Sequence, residues 1–203
     1  MKISEDITGK VTELFSHNGW VRWIHDGTEP AYTATERIAN VEYAESIGNK
    51  HCATCMNING CLFPKNNMPQ KPLHPNCHCR TVATKDIAFS SNCLLVKFSG
   101  YIFDEFKSDN KKALFESWGY AIMDSEWLKH EYERQAKEKY EAGDFSLGKL
   151  NEYRQRITIE IVIPRKNSPG FVIIKSGWMV YPNGYIMLNT PYSGGENERI
   201  KLR

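Results

Sequence analysis

Hydrophobic residues alternate with other residues most regularly in the C-terminal quarter of the chain. At 156–164 every second position is an isoleucine, which is the pattern of a strand with one buried face. The segment PGFVIIKS at 169–176 predicts a second strand, and WMVYPNGYIMLNTPY at 178–192 predicts a hairpin. Asn183 and Gly184 supply its turn, because both tolerate the positive φ that a two-residue hairpin requires. Together these segments predict an antiparallel sheet.

Two segments with helical spacing precede this sheet. They read DNKKALFESWG and EWLKHEYERQAKEKYEA. Ser108 and Ser125 are suited to cap their N-termini, and Gly119 and Gly143 are suited to end them. One face of the second helix carries a stripe that we expect to contact the core. The stripe consists of Leu128, Tyr132, Gln135, Ala136 and Tyr140.

The remaining sequence is less regular. A helix is predicted at 35–48 and a strand at 93–103, whereas the proline-rich segment at 50–82 favours short elements only. We therefore expect an α+β protein with two domains. Residues 1–82 would form a small N-terminal module, and residues 83–203 would form a domain in which two helices pack on an antiparallel sheet.

Cysteine and histidine residues crowd one part of the N-terminal module. Cys52 and Cys55 form a Cys-x-x-Cys pair, which is half of a tetrahedral zinc site. The second half is either Cys77 with Cys79 or His74 with Cys77. We favour Cys52, Cys55, Cys77 and Cys79, with His74 as the alternative ligand, in a structural Zn²⁺ site that organises the module. The competing interpretation is a set of ordinary reduced thiols in a region rich in loops.

Composition excludes few classes of protein. The 203-residue chain has a net charge of +2 and 41% hydrophobic residues, so neither a membrane nor a nucleic acid is indicated by the whole chain. Residues 145–203 nevertheless carry nine Lys and Arg against four acidic residues, which would suit a polyanionic partner. Neither a signal peptide nor a membrane span is recognisable. We therefore expect a cytoplasmic protein, in a reducing compartment where clustered cysteines favour metal over disulfides.

The cysteine-rich region resembles the end of the phage Mu F-like minor head (head morphogenesis) family over about 35–82. That family closes with a Cys-x-x-Cys, a Gly-containing turn and a Pro-x-His-Pro-x-Cys-Arg-Cys run. The residues that match are Cys52, Cys55, Gly60, Pro72, His74, Pro75, Cys77 and Cys79. His78 stands where the family usually has Arg. The resemblance implies phage ancestry and association with a capsid, in the virion or in the host cytoplasm.

The C-terminal region, 94–195, resembles the effector domains of polymorphic toxin systems. The resemblance rests on YIFDEFKSDNKKALFESWGY, the strand that begins QRI, and SGWMVYPNGYIMLNTPY. The order of helices and strands is similar to the ribonuclease group that includes barnase, EndoU, the colicin ribonucleases and RelE-type toxins. The resemblance implies a metal-independent ribonuclease, with RNA as its substrate and an immunity protein as a further partner.

Cleavage of RNA without a metal needs a base, an acid and cations that stabilise the phosphorane. The candidate catalytic residues in the sheet region are the cations Arg156, Arg165 and Lys175 and the hydroxyls Thr190 and Tyr192. Trp178 could stack on a base or lie in the core. His130 is the one histidine after the cysteine-rich region, which argues against a mechanism with paired histidines.

A second hypothesis comes from another class of protein. The chain could be a non-enzymatic capsid-associated or host-interaction protein, for example an inhibitor of a bacterial defence nuclease. It would then use the zinc module and the sheet as binding surfaces. A cleft lined by cations with a hydroxyl or carboxylate would favour the enzyme, whereas a flat or apolar patch would favour the binding protein.

Overall fold

The computed structural model describes residues 19–25, 53–75, 77, 79–85, 87–106, 110–150 and 153–192. The chain is an α+β protein with two sheets and few helices. It divides into two compact units. The first unit comprises 1–88, 150–154 and 181–184, and the second comprises 89–149, 155–180 and 185–203. The predicted domain boundary after residue 82 stays a prediction.

The first unit is built on a three-stranded antiparallel sheet in the order β2-β1-β3. Its elements are β1 (Trp20–Ile24), α1 (Ala53–Ile58), β2 (Leu62–Pro64) and β3 (Arg80–Ala83). The central strand β1 is anchored by Trp20 and Trp23, whose side chains are buried. Its last residue, Ile24, pairs with Arg80, the first residue of β3. This register fixes which residues meet just beyond the paired ends.

The second unit contains a five-stranded sheet in the order β4-β8-β7-β6-β5. Its strands are β4 (Ser90–Asn92), β5 (Ser146–Leu150), β6 (Gln155–Pro164), β7 (Phe171–Val180) and β8 (Tyr185–Thr190). The pairs β6–β7 and β7–β8 are antiparallel, whereas β4 lies parallel to β8. The predicted alternation in β6 is confirmed, since its four isoleucines are all buried. The predicted turn is confirmed as well, because Asn183 and Gly184 both have positive φ.

The helices of the second unit are α2 (Lys111–Ser117) and α3 (Ser125–Glu141), and a 3₁₀ turn (Ile122–Asp124) leads into α3. The predicted stripe on α3 is confirmed, because all five of its side chains are buried. Gln135 joins α3 to β6: its amide accepts from the backbone N–H of Val162 and donates to the carbonyl of the same residue. α2 packs on a neighbouring π-helical turn (Phe98–Ile102). No helix in the described part of the chain is long and apolar enough to cross a membrane.

The strand predicted at 93–103 and the helix predicted at 35–48 are not found as predicted in the described part of the chain. The strand predicted at 93–103 is wrong, because the chain there forms the π-helical turn. Phe98 and Ile102 are four residues apart and both are buried, so the apolar residues follow a helical spacing. The helix predicted at 35–48 and the cap predicted at Ser108 lie outside the described residues.

Candidate metal centre and sheet groove

Cysteine and histidine side chains from three parts of the first unit converge. His25 directly follows β1, Cys55 lies in α1, and Cys79 directly precedes β3. Within this group each ligand atom lies within 4.8 Å of the others. A second group, Cys55 with His74 and Cys77, meets the same limit and shares Cys55. The cluster could therefore hold a metal ion, and Cys55 is its common member.

The spacing of the sulfur atoms matches that of a zinc shell. Cys55 Sγ lies 3.8 Å from Cys77 Sγ. With Zn–S bonds of about 2.3 Å, the edge of a tetrahedron between two sulfurs is about 3.8 Å. The sulfurs are therefore separated as two ligands of one ion would be.

The His74 ring has a defined orientation. Its Nδ1 lies 2.7 Å from the carbonyl oxygen of Pro75, which can only accept a hydrogen bond, so Nδ1 carries a proton. The other ring nitrogen, Nε2, then has a free lone pair in the neutral ring, and it faces Cys55 Sγ at 2.9 Å. A carbonyl that fixes the tautomer in this way is common behind metal-binding histidines.

The three thiols differ in how readily they lose a proton. Burial, reinforced by Cys79 and Cys77, raises the pKa of Cys55 well above its usual range. Burial also raises the pKa of Cys79. Burial acts in the same direction on Cys77, but hydrogen bonds from the backbone of Cys79 and Leu73 outweigh it and lower that pKa to about 7. A bound cation would favour all three thiolates, since a coordinating thiol is deprotonated.

The predicted ligands can now be located. Cys55, Cys77 and Cys79 come together, as does the alternative ligand His74, whereas Cys52 lies outside the described residues. Sequence analysis missed His25, which has no metal-ligand spacing to any cysteine. The signal that could have found it is the pairing of Ile24 with Arg80, because this pairing continues to His25 opposite Cys79.

The second unit carries a groove on the face of its sheet opposite the buried isoleucines. The groove has a volume of about 520 Å³. It is lined by Asp144, Phe145, Ser146, Arg156, Thr158, Glu160 and Lys175. Glu160 of β6 lies directly opposite Lys175 of β7 in the strand register. Two of the predicted catalytic cations therefore share a groove with two carboxylates and two hydroxyls.

Thr190 lies beside this arrangement across Gly177 of β7. A Cβ atom at Gly177 would lie 3.0 Å from Thr190 Cγ2 and 3.5 Å from Arg156 Nη2. The absence of a side chain at Gly177 thus leaves room for both neighbours. The Thr190 hydroxyl itself donates to the carbonyl of Tyr192 at 2.8 Å, so in this structure it caps the end of β8.

The structure does not bring the other two candidates to the groove. Arg165 follows the opposite end of β6, and its Nε is buried without a hydrogen-bond partner among the described residues. Tyr192 lines a separate cavity of about 460 Å³ beside α2. Trp178 is fully buried, and its indole N–H donates to Ser176 Oγ at 2.8 Å. It therefore belongs to the core and cannot stack on a base.

Comparison of this chain with models of known protein families, with curated proteins and with solved structures finds no match. The resemblances to the Mu F-like family and to toxin-type ribonucleases accordingly stay predictions.

Proposed function

We propose that the first unit is a structural zinc module of a phage or phage-derived protein. The observation that carries this proposal is the convergence of His25, Cys55, His74, Cys77 and Cys79. The three strands of the first unit are short, with three to five residues each. A metal that ties the ends of such strands together would contribute stability that a small core lacks.

Metal content of the purified full-length chain tests this proposal. We expect one zinc per chain by mass spectrometry, and loss of that zinc when Cys55 is replaced by Ser. Cys93→Ala is the matched control, because Cys93 is also a buried free thiol but belongs to the second unit. Zinc-free protein that keeps the same melting temperature as protein purified with added zinc would refute a structural metal.

We propose a second candidate function for the second unit, in which α2 and α3 would cover one face of the sheet. This unit would act on RNA as a metal-independent ribonuclease of a toxin-like effector. This proposal is supported by the groove that Arg156 and Lys175 share with Glu160. The two cations would neutralise the phosphorane, and Glu160 would accept the proton of the ribose 2′-hydroxyl as its oxygen attacks phosphorus. Solvent water would donate a proton to the 5′-oxygen as it leaves, since Glu160 and Lys175 are exposed to solvent.

Inducible expression of the full chain in bacteria, with total RNA examined on a gel, tests the second candidate. We expect growth arrest with discrete RNA fragments, and loss of both effects with Arg156→Ala or Glu160→Gln. Lys137→Ala is the control, because Lys137 is an exposed cation on α3 that forms an ion pair with Glu141. Intact RNA at high protein levels would refute the ribonuclease and favour the non-enzymatic capsid-associated or host-interaction protein. Such a protein could also inhibit a bacterial defence nuclease.

A further inference from the structure

We infer that His25 is a zinc ligand together with Cys55 and Cys79, with which it forms one group, and that Cys77, whose Sγ lies 3.8 Å from Cys55 Sγ, supplies the third sulfur of a shell of three sulfurs and one nitrogen. This inference rests on the proposed zinc module and deepens it. It replaces Cys52 of the favoured sequence set with a residue that directly follows β1. The metal then joins the segments that flank all three strands of the sheet.

Strand register is the first argument. β1 and β3 are antiparallel, and Ile24 pairs with Arg80. The next positions along the two strands are His25 and Cys79, which therefore lie directly opposite each other. Side chains in such a cross-strand pair have Cβ atoms about 5 Å apart, so they can bind one ion. Their juxtaposition follows from the backbone alone.

Side-chain geometry is the second argument. His25 Nδ1 lies 3.4 Å from Cys79 Sγ. A tetrahedral zinc site with bonds of about 2.3 Å to sulfur and 2.0–2.1 Å to nitrogen has a sulfur–nitrogen edge of about 3.6 Å. The contact between His74 Nε2 and Cys55 Sγ is 2.9 Å, which is well below this edge. His25 therefore fits the ligand position better, and His74 is assigned to the surroundings of the shell.

The backbone around His25 is held in place. Its N–H donates to Asn59 Oδ1 at 3.0 Å, and both residues are buried. Asn59 follows α1 directly, so this hydrogen bond links the end of β1 to the helix that carries Cys55. His25 is therefore fixed relative to two of the sulfur ligands before any ion binds, which reduces the entropy that binding has to overcome.

X-ray absorption spectroscopy of the zinc-loaded full chain tests the inference. Zn–S and Zn–N distances differ by about 0.2–0.3 Å, so the spectrum gives the ratio of the two ligand types. We expect three sulfurs and one nitrogen in the wild type, and four sulfurs in His25→Cys with one zinc still bound. His74→Ala should leave the ratio at three to one.

Competition against a chromophoric chelator gives the matching affinities. His25→Ala should weaken zinc binding by more than about 100-fold, whereas His74→Ala should stay within the range of about 10- to 100-fold that loss of a group behind the ligands causes. Four sulfurs in the wild type would overturn the inference in favour of the Cys52 set. A three-to-one ratio that His74→Ala alone abolishes would overturn it in favour of His74. Absence of zinc from the wild type would instead refute the zinc module itself.

Discussion

The proposed zinc site should bind zinc with an affinity that depends steeply on pH, because its thiols must lose their protons. The pKa values of Cys55 and Cys79 are raised, so both thiols carry protons at pH 7, and Cys77 with a pKa of about 7 is half protonated. A metal binds the thiolates, so binding must release these protons. Three bound thiolates therefore correspond to about 2.5 protons released per zinc at pH 7.

The direction in which pH changes the zinc affinity follows from this release of protons. Because binding releases protons, affinity falls as pH falls, by one decade per pH unit for each proton released. Between pH 7 and pH 6, where Cys77 becomes almost fully protonated, the association constant should drop about 300- to 1,000-fold, which is about 4 kcal/mol of binding free energy. Above pH 7 the slope should decrease as Cys77 ionises.

Calorimetry in buffers with different ionisation enthalpies counts the protons. An ordinary imidazole as fourth ligand adds about a quarter of a proton at pH 7, whereas a fourth thiol of ordinary pKa adds about one more. We therefore expect about 2.75 protons for the His25 shell and about 3.5 for four cysteines. Release of one proton or fewer at pH 7 would refute the protonation states on which this reasoning depends.

Three further predictions concern the second unit. Ser176→Ala should lower the free energy of unfolding by about 1–3 kcal/mol in urea titrations, because it removes the acceptor of the buried Trp178 N–H. The control is Ser168→Ala at an exposed position, and an equal loss of stability in both variants would contradict this reason. Asp124→Asn should lower the free energy of unfolding by about 1 kcal/mol at pH 7 and should leave it unchanged well below pH 4. Burial raises the pKa of Asp124, but hydrogen bonds from Lys166 and from the backbone N–H of Ala121 outweigh this and lower it. The stabilisation from these hydrogen bonds is lost when the carboxylate is protonated, so a loss of stability that does not depend on pH would refute this prediction. Gly119→Ala should lower the melting temperature, because Gly119 has φ of +87° and an added Cβ would lie 2.9 Å from the backbone nitrogen of Asn167. An unchanged melting temperature would refute the predicted clash.

Local patterns predicted the parts of this fold that depend on neighbours in sequence. The alternation in β6, the stripe on α3 and the turn at Asn183 are each set within a few residues, and each is present. The strand predicted at 93–103 is wrong because Phe98 and Ile102 are buried on a helical turn, a spacing that a short apolar segment does not distinguish from alternation.

The candidate metal ligands likewise fall into those that local sequence spacing predicted and one that it did not. Cys77 and Cys79 are close in sequence, and Cys55 belongs to a Cys-x-x-Cys pair, so spacing alone identified them. His25 is 54 residues from Cys79, and only the pairing of β1 with β3 brings the two together. No local pattern contains that information, because strand pairing over such a distance depends on the whole sheet.

The excess of basic residues in the C-terminal third of the chain does not produce a cationic groove. Of the basic residues that gave the C-terminal third its excess, Arg154 stacks on Tyr181 and Lys166 pairs with Asp124. Inside the groove Arg156 and Lys175 face the carboxylates Asp144 and Glu160, so cations and anions are equal in number. A site that bound RNA by charge alone would expose cations without carboxylates, and its affinity would fall steeply with salt. The proposed ribonuclease would use this balance in another way, with Glu160 accepting a proton while Arg156 and Lys175 stabilise negative charge.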